Sequence, residues 1–416
     1  MIVQNVALQR GLLAGESKCR STLARPALRV AEEHRRPLLV VLTLFASAVI
    51  ANAAEPPLAR TVGFYHWGGQ YPTSVSQGVE QIAALGGKLA RITLSPRYYV
   101  DYNLGGGCYP NFSLSAIVQE PDVKKALDNE QIEVFMLTAY DGLTFGDCIR
   151  HRHLEPAFYT PSNIAAIVKE YSDLTLYLYE TYRHTHKRFI VSNWESDNEV
   201  YCGAAYAYAM DPAFRVACNA RYQSAYEGNR SPDDSIRGLI LWFQSRQQGI
   251  EEGRNRALNR GIGGKRVYLA PEFCVVRALR DAGFKSVLYD VLPFVIFDYV
   301  SYSSYESINQ AEPEKALLAD LNTIQDVVGS SAIILGEVGF ARSAWTTEGA
   351  VVRTDRVINA AVSWGVSYVF QWNMYDQNAM DDFGICDVAG QPTALAEYYK
   401  QRLKVTNATA YPVVPK

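Results

Sequence analysis

The sequence predicts an α/β fold of the (β/α)₈ TIM-barrel type, and three observations support this. Short apolar, β-branched runs alternate with amphipathic helical stretches eight times along the chain, the pattern of a closed parallel sheet inside a ring of helices. Acidic and amide residues recur where those runs end, on the face where such barrels carry their chemistry. No repeat or low-complexity linker interrupts the order, and Gly68-Gly69 after the first run does not supply the GxGxxG turn of an open doubly wound sheet.

The expected strands cover 61–65, 89–94, 132–137, 188–193, 266–270, 297–301, 332–336 and 368–372. Each is short and rich in Val, Ile, Leu, Phe or Tyr, as strands buried on both faces are. Residues 164–182 and 236–259 repeat apolar side chains at helical spacing, and Pro161-Ser162 and Ser231-Pro232-Asp233-Asp234 read as helix starts. Long loops follow strand two (95–120) and strand four (196–232). Both leave strand C-termini, so they are expected to wall a cleft.

Residues 1–54 read as a leader and 55–416 as a single barrel domain. Glu32 to Arg36 form a charged stretch, Leu38 to Ile50 an apolar run, and Ala51-Asn52-Ala53 a small-x-small site. Together they make a secretory signal, with cleavage near Ala53 or Ala54. The run is short of the ~20 residues a membrane span needs, so a secreted or periplasmic protein without membrane association is expected. Of seven cysteines, six lie beyond the leader, an even count that suits disulfides in an oxidising compartment. Cys202 and Cys218 bracket one loop and are the first expected pair; Cys108 and Cys148 form a second candidate. Cys274 and Cys386 are read either as a pair or as buried thiols.

The remaining composition excludes more than it identifies. Hydrophobic residues make up 48% and charged residues 20%, the net charge is −3, and the body has no long basic run. Nucleic acid is therefore not an expected partner. There is neither CxxC nor a His/Cys ligand spacing, so no metal and no cofactor is expected, and no GxSxG elbow marks a serine hydrolase. The 27 tyrosines and 6 tryptophans suit the apolar faces of sugars as well as they suit a core.

The polar residues at the expected strand ends are Asp141, Asn193, Glu195, Asp197, Asn198, Glu199, Glu272, Asp298, Glu337 and Asn373. Carboxylates converging on one rim cost folding energy unless they are paired or used. Glycoside cleavage uses them: one protonated carboxyl serves the leaving oxygen and one carboxylate the anomeric carbon.

On these residues the chain resembles glycoside hydrolase clan A, in its family-5-like form. The matching segments are Trp194-Glu195-Ser196-Asp197-Asn198-Glu199 after strand four, Leu335-Gly336-Glu337-Val338-Gly339 at strand seven and Gln371-Trp372-Asn373 at strand eight. Arg91 is similar to the clan's strand-two arginine, and the segment from Val300 to Tyr305 to its strand-six tyrosine region. The resemblance implies a retaining β-glycosidase with Glu337 as nucleophile. Arg91 and either Tyr302 or Tyr305 would hold the Glu337 carboxylate, and Trp372 would lie under the sugar.

The acid/base has two candidates. The clan's Asn-Glu pattern selects Asn198-Glu199. Spacing favours Glu195: it falls six residues after Phe189, Glu199 falls ten after it, and Glu337 falls five after Ala332. Asn193-Trp194-Glu195-Ser196-Asp197 also resembles the Asn-Trp-Glu-Gly-Asp element of a clan-A-like group, with Glu195 as the matching carboxyl. By strand period Asn193 and Glu195 share a face with Phe189 and Val191. Glu272 is read as a sugar ligand or as a like charge that raises the acid's pKa. His66 and Asp141 are read as sugar ligands or as satisfied rim residues. Two rival functions are a degenerate barrel that binds carbohydrate without cleaving it, and a metal-dependent hydrolase, which would need His/Asp clusters at strands one and four, where His66 stands alone.

Overall fold

The computed structural model describes residues 58–404 apart from 69, 70, 72, 146, 147, 149, 150, 224–229, 331, 379 and 380. The leader and its expected cleavage site lie outside the described residues. The strands are β1 (Val62–His66), β2 (Leu89–Leu94), β3 (Val134–Ala139), β4 (Arg188–Ser192), β5 in two segments (Val267–Leu269 and Glu272–Phe273), β6 (Val300–Ser303), β7 (Ile333–Val338) and β8 (Tyr368–Trp372). All pairings between them are parallel. The first segment of β5 pairs with β4 and the second with β6, so β5 closes the barrel. Pro271 lies in the break. It has no N–H for the ladder, yet its carbonyl accepts from Ser301 N at 2.9 Å.

Period two sorts the side chains into two layers. Leu89, Val134, Met136, Ile190, Ala270, Ile334, Tyr368 and Phe370 fill the barrel interior. Phe64, Ile92, Phe135, Val191, Tyr302 and Leu335 face outward into the larger core beneath the helices. Helices Pro161–Thr181 and Pro232–Asn259 cover β3 to β5, and both start at expected positions, capped by Thr160 and Ser231. Strand six begins three residues later than its apolar run predicts. Asp298 consequently precedes β6, where Arg254 and Lys265 pair with it, and is no part of the catalytic rim.

Both expected disulfides are present. Cys202–Cys218 and Cys108–Cys148 have Cα atoms 5.8 and 5.9 Å apart. Cys274 and Cys386 are separate buried thiols. None of the described helices is long and apolar enough to cross a membrane.

Candidate active site

Arg91 points from β2 into the barrel and is fully buried. Its Nη atoms donate to both Glu272 oxygens at 2.7 and 2.8 Å, and further to Gly336 O (2.9 Å) and Asn193 O (3.1 Å). Nε donates to Thr138 Oγ1 at 3.0 Å, and the guanidinium lies 4.2 Å from the Tyr65 ring centre. One side chain thus ties β2 to β3, β4, β5 and β7. The Glu337 carboxylate sits farther from it, at 3.7 Å. Arg91 therefore pairs chiefly with Glu272, which is itself fully buried and also receives Ser301 Oγ. Every Glu272 oxygen is engaged within the protein, and its charge lies close enough to raise Glu195.

Glu337 stands at the end of β7, where the register shifts between Leu335 and Val338. Such a bulge re-aims a side chain that strict alternation would turn outward. Gly336 before it leaves no room: a Cβ there would meet Glu272 Oε2 at 2.0 Å and Ser301 Oγ at 2.3 Å. Glu195 follows β4 and heads the short helix Ser196–Val200. Its carboxylate accepts from Asn198 Nδ2, while Asn198 Oδ1 accepts from Ala205 N at 2.8 Å. The two glutamates are only 4% and 3% exposed. Burial pushes Glu195 up to about 8, with the Glu272 charge adding to it. Burial and then Glu195 push Glu337 well above the usual carboxylate range, against the pull of Arg91. Both carboxyls stand at the C-terminal ends of β4 and β7, near enough for the Glu195 charge to raise Glu337.

Glu199 goes elsewhere. One helical turn beyond Glu195 it accepts from Tyr140 Oη (2.8 Å) and lies against His153 Nε2 (3.2 Å) and His151 Nδ1 (3.6 Å). Burial raises its pKa, but His153 and His151 outweigh that and hold it at about 2. The face that Phe189 and Val191 share looks toward the helices and ends with β4 at Ser192, so it does not extend to Asn193 and Glu195. Asn193 instead donates to Ser196 Oγ (2.7 Å) and accepts from Glu272 N (2.9 Å), pinning β4 to β5.

The remaining candidates divide in two. Burial, then the charges of Glu337 and Glu195, push the Tyr305 phenol up. Trp372 meets Tyr65 edge-on at 4.9 Å and Trp67 at 5.7 Å. Tyr302 faces away and donates to Asp320 at 3.0 Å. His66 also faces outward. It is fully buried, bonded to Ser74 O at 3.0 Å, and kept neutral by burial, which lowers its pKa to about 4. Asp141 accepts from Thr144 N and Oγ1 and from Trp242 Nε1, all at 2.7–3.0 Å. Strand period or a local turn points Tyr302, His66 and Asp141 away from the rim; His66 Nδ1 stays buried without a hydrogen-bond partner among the described residues.

Two features went unread in the sequence. Asp381, from the loop after β8, adds its charge at Glu337, and its own carboxyl is raised to about 6 by burial, then by Asp376 and Asp382. Asp381 Oδ2, Glu337 Oε1 and both side-chain polar atoms of Asn373 are buried without a hydrogen-bond partner among the described residues. The other is the gathering of His151, His153 and Glu199. The His-x-His is local, but its glutamate is 46 residues downstream and only the fold unites them.

Among solved structures the chain is similar to a GH5_18 protein of Streptomyces cattleya in complex with GlcNAc, with a TM-score of 0.53 at 12% identity over 88% of this chain and 83% of that one. A GH5_18 variant from the same organism, in complex with Manb1-4GlcNAc, gives 0.51 at 14% identity over 85% and 82%. A Bifidobacterium longum GH5_18 variant with the same disaccharide gives 0.50 at 12% over 86% and 80%. No protein-family model and no curated protein matches the chain. At these identities the likeness is one of fold, and the chain carries the (β/α)₈ barrel of those GH5 structures over four-fifths or more of each molecule.

Proposed function

We propose that this protein is a glycoside hydrolase that cleaves β-glycosidic bonds with net retention, with Glu337 as nucleophile and Glu195 as acid/base. The observation that carries this reading is the placing of two buried carboxyls, Glu195 and Glu337, at the ends of β4 and β7, with Arg91 3.7 Å from Glu337. Repulsion within such a pair leaves one proton shared at neutral pH. Arg91 Nη1 lies 3.7 Å from Glu337 Oε1, whereas the Glu195 carboxylate accepts from the neutral amide of Asn198. The cation favours the charged form of Glu337 and leaves the proton to Glu195, the division that double displacement requires.

In the first step the Glu337 carboxylate attacks the anomeric carbon while Glu195 gives its proton to the departing oxygen. In the second, Glu195 takes a proton from water, whose oxygen displaces Glu337 and restores the starting anomeric configuration. Asn198 positions the Glu195 carboxylate, Tyr305 lies beside the pair, and Trp372 offers an apolar face to the ring. The unpartnered polar atoms of Asn373 and Asp381 suit sugar hydroxyls. The two disulfides suit an oxidising compartment, in keeping with export.

The GH5_18 complexes make β-mannosides and Manb1-4GlcNAc the first compounds to try, followed by aryl β-glucosides and soluble β-glucans. Following the released sugar by NMR should show the β anomer first. Initial release of the α anomer would overturn retention. Failure of Glu337→Ala to abolish turnover by the intact chain would remove the nucleophile assignment.

A further inference from the structure

We propose that His151, His153 and Glu199 bind a divalent transition-metal ion of the zinc class, at a site separate from the carboxylate pair. The three side chains can each offer one ligand atom, all within 4.8 Å of one another. Glu199 Oε2 lies 3.2 Å from His153 Nε2, and Glu199 Oε1 lies 3.6 Å from His151 Nδ1. Ligands about 2.0–2.1 Å from a tetrahedral ion stand roughly 3.3–3.5 Å apart, and each separation lies within about 0.1 Å of that range, with Oε2 the oxygen left for the ion because Tyr140 holds Oε1. His151 Nδ1, His153 Nε2 and Glu199 Oε2 are buried, and none is aligned for a hydrogen bond. His151 and His153 meet the Glu199 carboxylate only as ion pairs, and an ion at their centre would give all three a directed partner at once. Two imidazoles and a carboxylate form a donor set that zinc takes readily.

The surroundings are built to hold such a site. The Cys108–Cys148 disulfide anchors the chain three residues before His151. The His153 ring packs 4.6 Å from Trp242 and 5.8 Å from Tyr140. Tyr140 Oη donates to the Glu199 carboxylate, supplying the outer hydrogen bond that orients a metal-bound carboxylate. The His151 side chain is 30% exposed, which gives an ion a way in and leaves a water the fourth position.

The ion would act on the short helix Ser196–Val200. Glu199 ends one turn of that helix, Glu195 heads it, and Asn198 between them holds the Glu195 carboxylate. Tyr140 Oη also receives Trp194 N at 3.1 Å, so the clamp reaches both sides of Glu195. This last consequence rests on Glu195 being the acid/base; the binding of metal does not.

The test uses the full chain without a histidine tag, stripped with chelator and titrated with zinc chloride by calorimetry, and with cobalt chloride by absorbance. Expected are about one ion per chain with Kd on the order of micromolar or below, a visible cobalt band, and a thermal midpoint raised by a few degrees in excess zinc. His151→Ala, at the exposed edge, should lose all three while still melting cooperatively. His153→Gln serves as a second variant and should weaken zinc by about tenfold or more. Absence of zinc and cobalt binding up to about 100 µM, or unchanged binding by His151→Ala, overturns the proposal. Metal binding by a chain that hydrolyses no glycoside would sink the proposed function and leave this site standing.

Discussion

Gly336 shows how closely the groups around the catalytic pair are packed. An added methyl would occupy the space of Glu272 Oε2 and Ser301 Oγ. Gly336→Ala should therefore cost about 3 kcal/mol or more, from overpacking combined with a disturbed buried ion pair, and denaturant unfolding measures it. Arg91→Met leaves the Glu272 carboxylate buried and unpaired and should cost about 3–5 kcal/mol. Pairing it with Glu272→Leu should recover much of that, as replacing a whole buried pair often does. Glu195 titrates in the opposite direction to a surface carboxylate. Its folded pKa lies above its unfolded one, so the folded chain holds a proton that the unfolded chain has released between about pH 4.5 and 8. Stability from this group is complete below that window and falls as pH rises through it. Glu195→Gln should flatten the fall and exceed the parent most at pH 8, by at least about 1 kcal/mol. Equal pH slopes in the two proteins would contradict the assigned shift. Glu195 and Glu337 were legible as candidates because strand length locates a rim and the segments around them resemble the clan's. The preference of Arg91 for Glu272 was not, since it depends on which interior side chains meet across the barrel.

At the scale of elements, alternation accounts for most of what the sequence reveals and for where it stops. His66 and Tyr302 sit one position off the inward face of β1 and β6, so both enter the helix-side core. Strand two and strand eight match their apolar runs at both ends. The break in β5 follows from Pro271, and the late start of β6 arises because Phe297 and Tyr299 mimic strand residues while Asp298 is tied to Arg254 and Lys265. The turn into helix Ser196–Val200 carries Glu199 away from Glu195 toward His151 and His153; spacing favours Glu195, but the turn itself is not legible in it. Cys202–Cys218 closes the loop that follows this helix. Replacing both cysteines with serine should lower unfolding free energy by about 2–4 kcal/mol.

Over the whole molecule, the barrel brings side chains from β2, β4, β5, β7 and β8 to one end, and the central claim is a division of labour between two of its glutamates. The measurement that tests it most directly is kcat/KM for the parent, Glu195→Ala and Glu199→Ala across aryl β-glycosides of graded leaving-group acidity. Glu195→Ala should stay near the parent rate on dinitrophenyl glycosides and fall by about 10²–10⁴ on alkyl or sugar leaving groups, which need the proton. Glu199→Ala, acting only through the position of its helix, should lose the same factor on every substrate. A leaving-group-dependent loss in Glu199→Ala, with a uniform one in Glu195→Ala, would contradict the account.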